Sequence, residues 1–252
     1  MKYGLSLLLF SLLLTSSLTA QEEYDDDDYR PSKRDRRGGI IGGGGGIAPT
    51  WNFLNMTKLN GALQEKGLPQ LNEDGMFMFG GHGYAYVVFI PNLRIGGMGY
   101  GGSLETRRDL DGRYQSSRLD VSTGGVTLEY VLAFGRLHFA VGGLLGGGSY
   151  TLTLTESDNV SKTWGSLFPS SPTSAADSRH ELVNSFFAFQ PTLTVEYELH
   201  PFIVAGVTAG YFGTAGDEWK LDDNFTMLNM PAFEMSGMFI RASLTFGLFL
   251  GE

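Results

Sequence analysis

Long runs in which apolar residues fall on every second position constrain this chain more than any other feature. In FQPTLTVEYELHPFIVAGVTAGY, residues 189–211, Val195, Tyr197 and Leu199 share one parity and Thr194, Glu196 and Glu198 the other. The pattern then restarts directly after His200-Pro201. A period of two marks a strand with one face buried in an apolar medium, and so abrupt a reversal marks a hairpin. From Gly38 onward the same period predicts eight strands, at about 39–53, 76–90, 92–106, 113–133, 136–156, 181–199, 202–216 and 232–250. One short helix is predicted in the first long connection. Asn55 or Thr57 caps it, Met56, Leu59 and Leu63 share a face, and Gly67 followed by Pro69 ends it.

The links between strands sort by length. Ile90-Pro91-Asn92, Phe134-Gly135-Arg136 and His200-Pro201 are tight, whereas 54–75, 106–112, 157–180 and 217–231 are long. Strict alternation of short and long puts every tight turn at one end and every long loop at the other. An even number of antiparallel strands with loops sorted in this way is the layout of an up-and-down transmembrane β-barrel. The predicted fold class is therefore all-β, with the helix in the first long loop.

Two barrels fit such alternation, a soluble one with an apolar interior that binds a hydrophobic ligand and a membrane one with an apolar exterior. The polar parity decides for the membrane. It carries mostly Gly, Ser, Thr and Ala, where a surface facing bulk water would carry many Lys, Asp and Glu. Glycine supplies 36 of 252 residues, about twice its usual ~7% share, which suits strands curving around a small filled lumen. In the fourth strand Val126, Leu128, Tyr130 and Leu132 have one parity and Leu119 and Val121 the other, so a bulge at Gly124-Gly125 is expected to flip the phase. Phe89, Phe134 and Phe202 lie beside tight turns, and Tyr150, Phe186, Phe187, Tyr211 and Phe233 toward the loops, as two interfacial aromatic girdles require.

Ahead of the barrel, residues 1–20 read as a signal peptide: Lys2, an apolar core from Leu5 to Leu14, and cleavage near Ala20. Residues 21–37, an acidic block followed by a basic one, read as a disordered charged tether. The barrel then occupies 38–252, and the chain is expected in the outer membrane. A net charge of −9 and no basic stripe exclude nucleic acid as partner. With no cysteine, the chain has no disulfide, thiolate metal site or thiol nucleophile.

Catalytic motifs are absent. None of His82, His138, His180 and His200 has a Ser two positions on; Tyr84, Ala140, Leu182 and Phe202 stand there instead. GMGYGG, residues 97–102, matches G-x-G-x-x-G but continues into strand, where a dinucleotide needs a helix N-terminus. No metal or cofactor is expected. Inward parity places Glu129, Glu196 and Arg241 in the lumen, where they could form a charge cluster that fixes register or gates a narrow pore. The long loops offer Trp164, Phe168, Trp219 and Phe225 as a contact surface for an envelope polymer or an extracellular ligand.

The leader, the eight alternating strands, the tight turns at one end and the closing SLTFGLFLGE of residues 243–252 resemble the small eight-stranded outer-membrane barrels of OmpA-like and OmpX-like architecture. GGVTLEYVL (124–132) and VGGLLGGGSYTLTL (141–154) are similar to a glycine-rich group of envelope proteins. In the first family the last strand ends on an aromatic, whereas here Phe249 is followed by Leu250-Gly251-Glu252. The resemblance implies outer-membrane lipids as surroundings and a non-enzymatic structural or surface-interaction role.

Overall fold

The computed structural model describes residues 41–110, 112–158, 178–216, 219–221, 225–227 and 235–250. The leader, the tether, Trp164, Phe168 and Phe233 lie outside them. The first stave is broken in two: β1 (Ile41–Ile47) and β2 (Thr50–Leu54) each pair with β11 (Gly237–Leu250) on one side and β3 (Met76–Tyr86) on the other. The break falls at Pro49, which has no amide hydrogen to give a ladder. From β3 the antiparallel order runs through β4 (Leu93–Leu110), β5 (Arg113–Phe134), β6 (Leu137–Asp158), β7 (Ser178–His200) and β8 (Ile203–Ala215). Pairing of β8 with β11 closes a ring of eight staves. The apolar residues of its membrane wall point outward, which is the architecture of a membrane-spanning barrel.

At one end the turns are tight. Gly135 and Arg136 alone join β5 to β6, with Gly135 at φ 61°, a conformation side-chain-bearing residues avoid. Pro201 and Phe202 join β7 to β8. At the other end one expectation fails. The link around 106–112 is not a long loop: β4 and β5 pair as far as Leu110 with Arg113, and Gly112 between them has φ 84°. Its charge-rich sequence lacks an apolar outer face because this part of the wall stands clear of lipid. Asp-Gly itself is a hairpin signal.

The expected bulge is absent as well. Pairing runs unbroken through Gly124 and Gly125 to both β4 and β6. Odd-numbered residues of β5 face inward along the strand, so Thr127, Glu129 and Val131 share the lumen side with Leu119, Val121 and Thr123. What changes is the medium outside. Val126, Leu128, Tyr130 and Leu132 are exposed on the membrane wall, and further out the same parity carries Ser122, Asp120 and Arg118. β7 repeats the inversion: Leu182 and Phe186 are buried inside while Glu181 and Ser185 face out, then Phe187, Phe189 and Leu193 face out while Gln190, Thr192, Thr194 and Glu196 are buried.

An apolar outer lumen follows, in place of a polar interior throughout. Leu119, Val121, Tyr150, Leu152, Leu182, Phe186, Phe212, Trp219 and Phe239 form one cluster with Met56, Leu59 and Leu63 of the helix segment. The helix α1 (Thr57–Glu65) is too short to be stable alone. Burial of Leu59 and Leu63, at about 1.5–3 kcal/mol per side chain, seats it inside the wall. Asn60, also buried, donates to the Leu71 carbonyl at 2.9 Å and accepts from its amide at 2.8 Å, locking the following loop. Met56 takes the N-cap position without a side-chain cap, and Asn55 Oδ1 accepts from the Thr57 amide at 3.2 Å. Tyr150 and Phe186 thus belong to this core and not to a girdle; Phe187 and Tyr211 do face outward. At the tight-turn end Phe89, Phe134 and Phe202 are exposed, as a girdle requires.

Candidate functional site

Beneath the apolar core the lumen holds charge. Arg94, on the second position of β4, is 2% exposed and faces inward between outward Ile95 and the start of the strand. Its Nη1 and Nη2 donate to the two carboxylate oxygens of Glu196, both at 2.8 Å, and its Nε donates to Glu129 Oε2 at 2.8 Å. The guanidinium also lies 4.2 Å over the Tyr84 ring. One planar cation therefore ties β4 to β5 and β7 through its fixed fork of donors, a geometry lysine does not offer. Gly142 makes room on β6, since a methyl there would meet the Leu128 carbonyl and the Glu129 stem.

Glu129 and Glu196 thus come together, but at Arg94, which a reading of parity passes over. Arginine beside a tight turn usually snorkels to the interface, so its type and place give no lumen signal. Arg241 turns elsewhere. Its Nε donates to Thr50 Oγ1 at 3.0 Å and Nη2 to Gln190 Oε1 at 3.2 Å, with the Tyr100 and Phe239 rings 4.9 and 4.7 Å away. Arg94 and its two carboxylates sum to one negative charge and Arg241 carries one positive charge, so the layer is neutral only as a set of four.

Between the two arginines lies a cavity of about 30 Å³ lined by His82, Thr192, Thr194, Thr208 and Ser243 among others. It has room for roughly one or two waters. Of its lining, Thr192 Oγ1 is buried with no partner among the described residues, as a group served by such a water would be. His82 Nε2 lies 2.8 Å from Thr245 Oγ1, a bond that passes over β1 at Gly46, where a methyl would run into the Leu244 carbonyl. His82 Nδ1 has no partner among the described residues. Toward the tight turns a second apolar layer follows: Tyr84, Tyr86, Val131, Ala140, Val204 and Phe249.

The expected contact surface divides. Trp219 is 3% exposed and packs in the apolar core, because β9 (Trp219–Leu221) continues the sheet beside β7 and turns the indole inward. Phe225, on β10 (Phe225–Thr226), is 68% exposed. The projecting strands pair their charges locally, Arg107 with Glu105 at 2.7 Å and Arg118 with Asp120 at 2.8 Å on the outward parity, and Arg113 with Glu156 at 3.2 Å near the open end.

No protein-family model matches the chain, and no curated protein does. Among solved structures it is similar to Ail, the attachment invasion locus protein of Yersinia pestis, in complex with the heparin analogue sucrose octasulfate, at 10% identity and a TM-score of 0.41, over 84% of this chain and 99% of that one. A major outer membrane protein from Thermus thermophilus matches at 9% identity and 0.42, over 82% and 99%. The outer membrane protease OmpT from Escherichia coli matches at 10% and 0.33, over 84% and 96%. Likeness at this level assigns no activity.

Proposed function

We propose that this chain is a non-conducting, non-enzymatic outer-membrane barrel that acts through the end projecting from the membrane. Exported by a leader cleaved near Ala20, it spans the bilayer with the barrel of residues 38–252. The observation that carries the reading is the filling of the lumen at three successive levels: the apolar core with α1, the Arg94 and Arg241 layer, and the inner aromatic cluster. A solute would have to displace all three. Charges in the middle layer are held by direct bonds, which supports a brace fixing the register of β4, β5 and β7 over a gate.

The projecting end supplies the interaction surface, with Phe225 and Met227 exposed at its rim. Because Arg107, Arg113 and Arg118 there each pair with a carboxylate, they offer a polyanion no cluster of free guanidiniums, and an uncharged or zwitterionic partner fits better. Planar-bilayer recording tests the reading. Purified mature chain is expected to give no discrete conductance steps, and Arg94→Ala none either, since the apolar layers remain. Reproducible steps from the wild type would overturn it.

A further inference from the structure

The closed ring is shorter than its longest strands. Pairing of β3 with β4 ends at Met78 with Gly102, whereas pairing of β4 with β5 continues to Leu110 with Arg113. From Ser103 to Leu110, β4 therefore has β5 on one side and, among the described residues, no backbone hydrogen bond on the other. Arg108 reaches the Gly67 carbonyl and Gln115 with its side chain only. At ~3.3 Å per residue this free edge runs roughly 25 Å. It is a row of unpaired donors and acceptors, which templates another strand.

The side chains decide which strand. Ser103, Glu105, Arg107 and Asp109 are exposed on the outward face; Leu104, Thr106 and Arg108 are half-buried on the inward one, Leu104 against the apolar core. Glu105 and Asp109 against Arg107 and Arg108 sum to zero charge. Charges along an edge turn away indiscriminate strands, but this set matches its own sequence in reverse. In an antiparallel copy centred on Thr106, Glu105 stands opposite Arg107, Arg107 opposite Glu105, and Ser103 opposite Asp109. The bonded Glu105–Arg107 pair of one edge then meets the same pair reversed. Centring on Arg107 instead sets that arginine against itself and Glu105 against Asp109, and centring on Glu105 sets two glutamates together. Opposite charges directly across strands stabilise and like charges destabilise, so the register at Thr106 is selected.

Taking the projecting end as the acting surface, as proposed above, we propose that its partner is a second copy of this chain, paired edge to edge through residues 103–110. The twofold axis that relates antiparallel strands and keeps both outward faces on one side is perpendicular to the sheet. It turns the second barrel end for end. The two copies therefore sit in facing membranes, and the contact joins one membrane surface to another. One short edge binds weakly, and many copies on two surfaces add up.

The test uses the full mature chain reconstituted from detergent into phosphatidylcholine vesicles, with both orientations present, and energy transfer between donor-dyed and acceptor-dyed vesicles reads their clustering. Wild-type vesicles are expected to cluster. Glu105→Arg and Arg107→Glu each bring like charges together across the pair, and each alone should reduce clustering on the order of tenfold. Vesicles of one variant mixed with vesicles of the other should cluster again, since every charge pair across the edge is then opposite. Each chain's own 105–107 pair stays broken in that mixture, so recovery comes only from contact between copies. Dispersed wild-type vesicles overturn the proposal, and so does a mixture that stays dispersed. Both substitutions are at exposed positions, and heat-modifiable gel mobility verifies folding. Conductance of the same preparations separates the two claims: silent barrels that do not cluster remove the edge pairing alone, and conductance steps remove the closed lumen.

Discussion

Two lengths of β5 share one register and oppose each other in everything else. From Val126 to Tyr130 the outward residues are apolar and the inward ones, Thr127 and Glu129, polar or charged; from Arg118 to Ser122 the outward residues are polar and the inward ones apolar. Periodicity reports which side a residue is on. Hydrophobicity reports what fills that side, and here the filling exchanges where the wall leaves the membrane. A projection of β4 from Ser103 to Leu110 continues roughly 25 Å along the strand at ~3.3 Å per residue, and it has a water-soluble cross-section with its core inside. The membrane section has its apolar surface outside and holds its lumen by a few strong polar bonds. The first is stabilised by burial from water, the second by satisfying every charge that lipid and closure deny to solvent.

Substitutions that respect this difference should have effects set by region. Arg94→Met strands two buried carboxylates and should cost about 3–5 kcal/mol, read as urea unfolding of the barrel in micelles. Leu119→Ala, at 0% exposure in the projecting core, should cost about 2–5 kcal/mol in the same assay. Loss of α1 protection in hydrogen exchange should accompany it. Lysine at two positions of one parity separates the regions: Leu128→Lys should cost about 2–4 kcal/mol if it lies near the bilayer midplane, and Ser122→Lys about 0–1. Equal costs would move the boundary. Smallest of all, Arg118→Ala breaks only an exposed, solvent-screened pair and should leave the unfolding midpoint unchanged, in contrast to Arg94.

The strands, their order around the ring and the tight turns are legible in the sequence because period two and Pro or Gly punctuation are local properties. So is the inward parity of Glu129, Glu196 and Arg241. Arg94 is not, since an arginine near a turn has an ordinary interfacial explanation and its partners lie 35 and 102 residues away. Leu119 and Val121 imitate a phase flip, and Tyr150 and Phe186 a girdle, for one common reason. An apolar residue is expected to face lipid, and that holds only in the part of the wall that lipid touches. Trp219 looks like a surface loop residue because no sequence signal marks β9 as a short extension of the sheet.

Because the chain has no cysteine, single cysteines carrying spin labels can be placed at each position from 117 to 132 on β5 in reconstituted bilayers. Collision with oxygen, which partitions into lipid, and with a water-soluble nickel chelate then reads each side chain's surroundings. Even positions are expected to respond throughout, to oxygen from 126 to 132 and to the chelate from 118 to 122, with odd positions protected along the whole strand. A change of the responding parity from even to odd at 124–125 would contradict continuous register and restore a bulge in place of a change of medium.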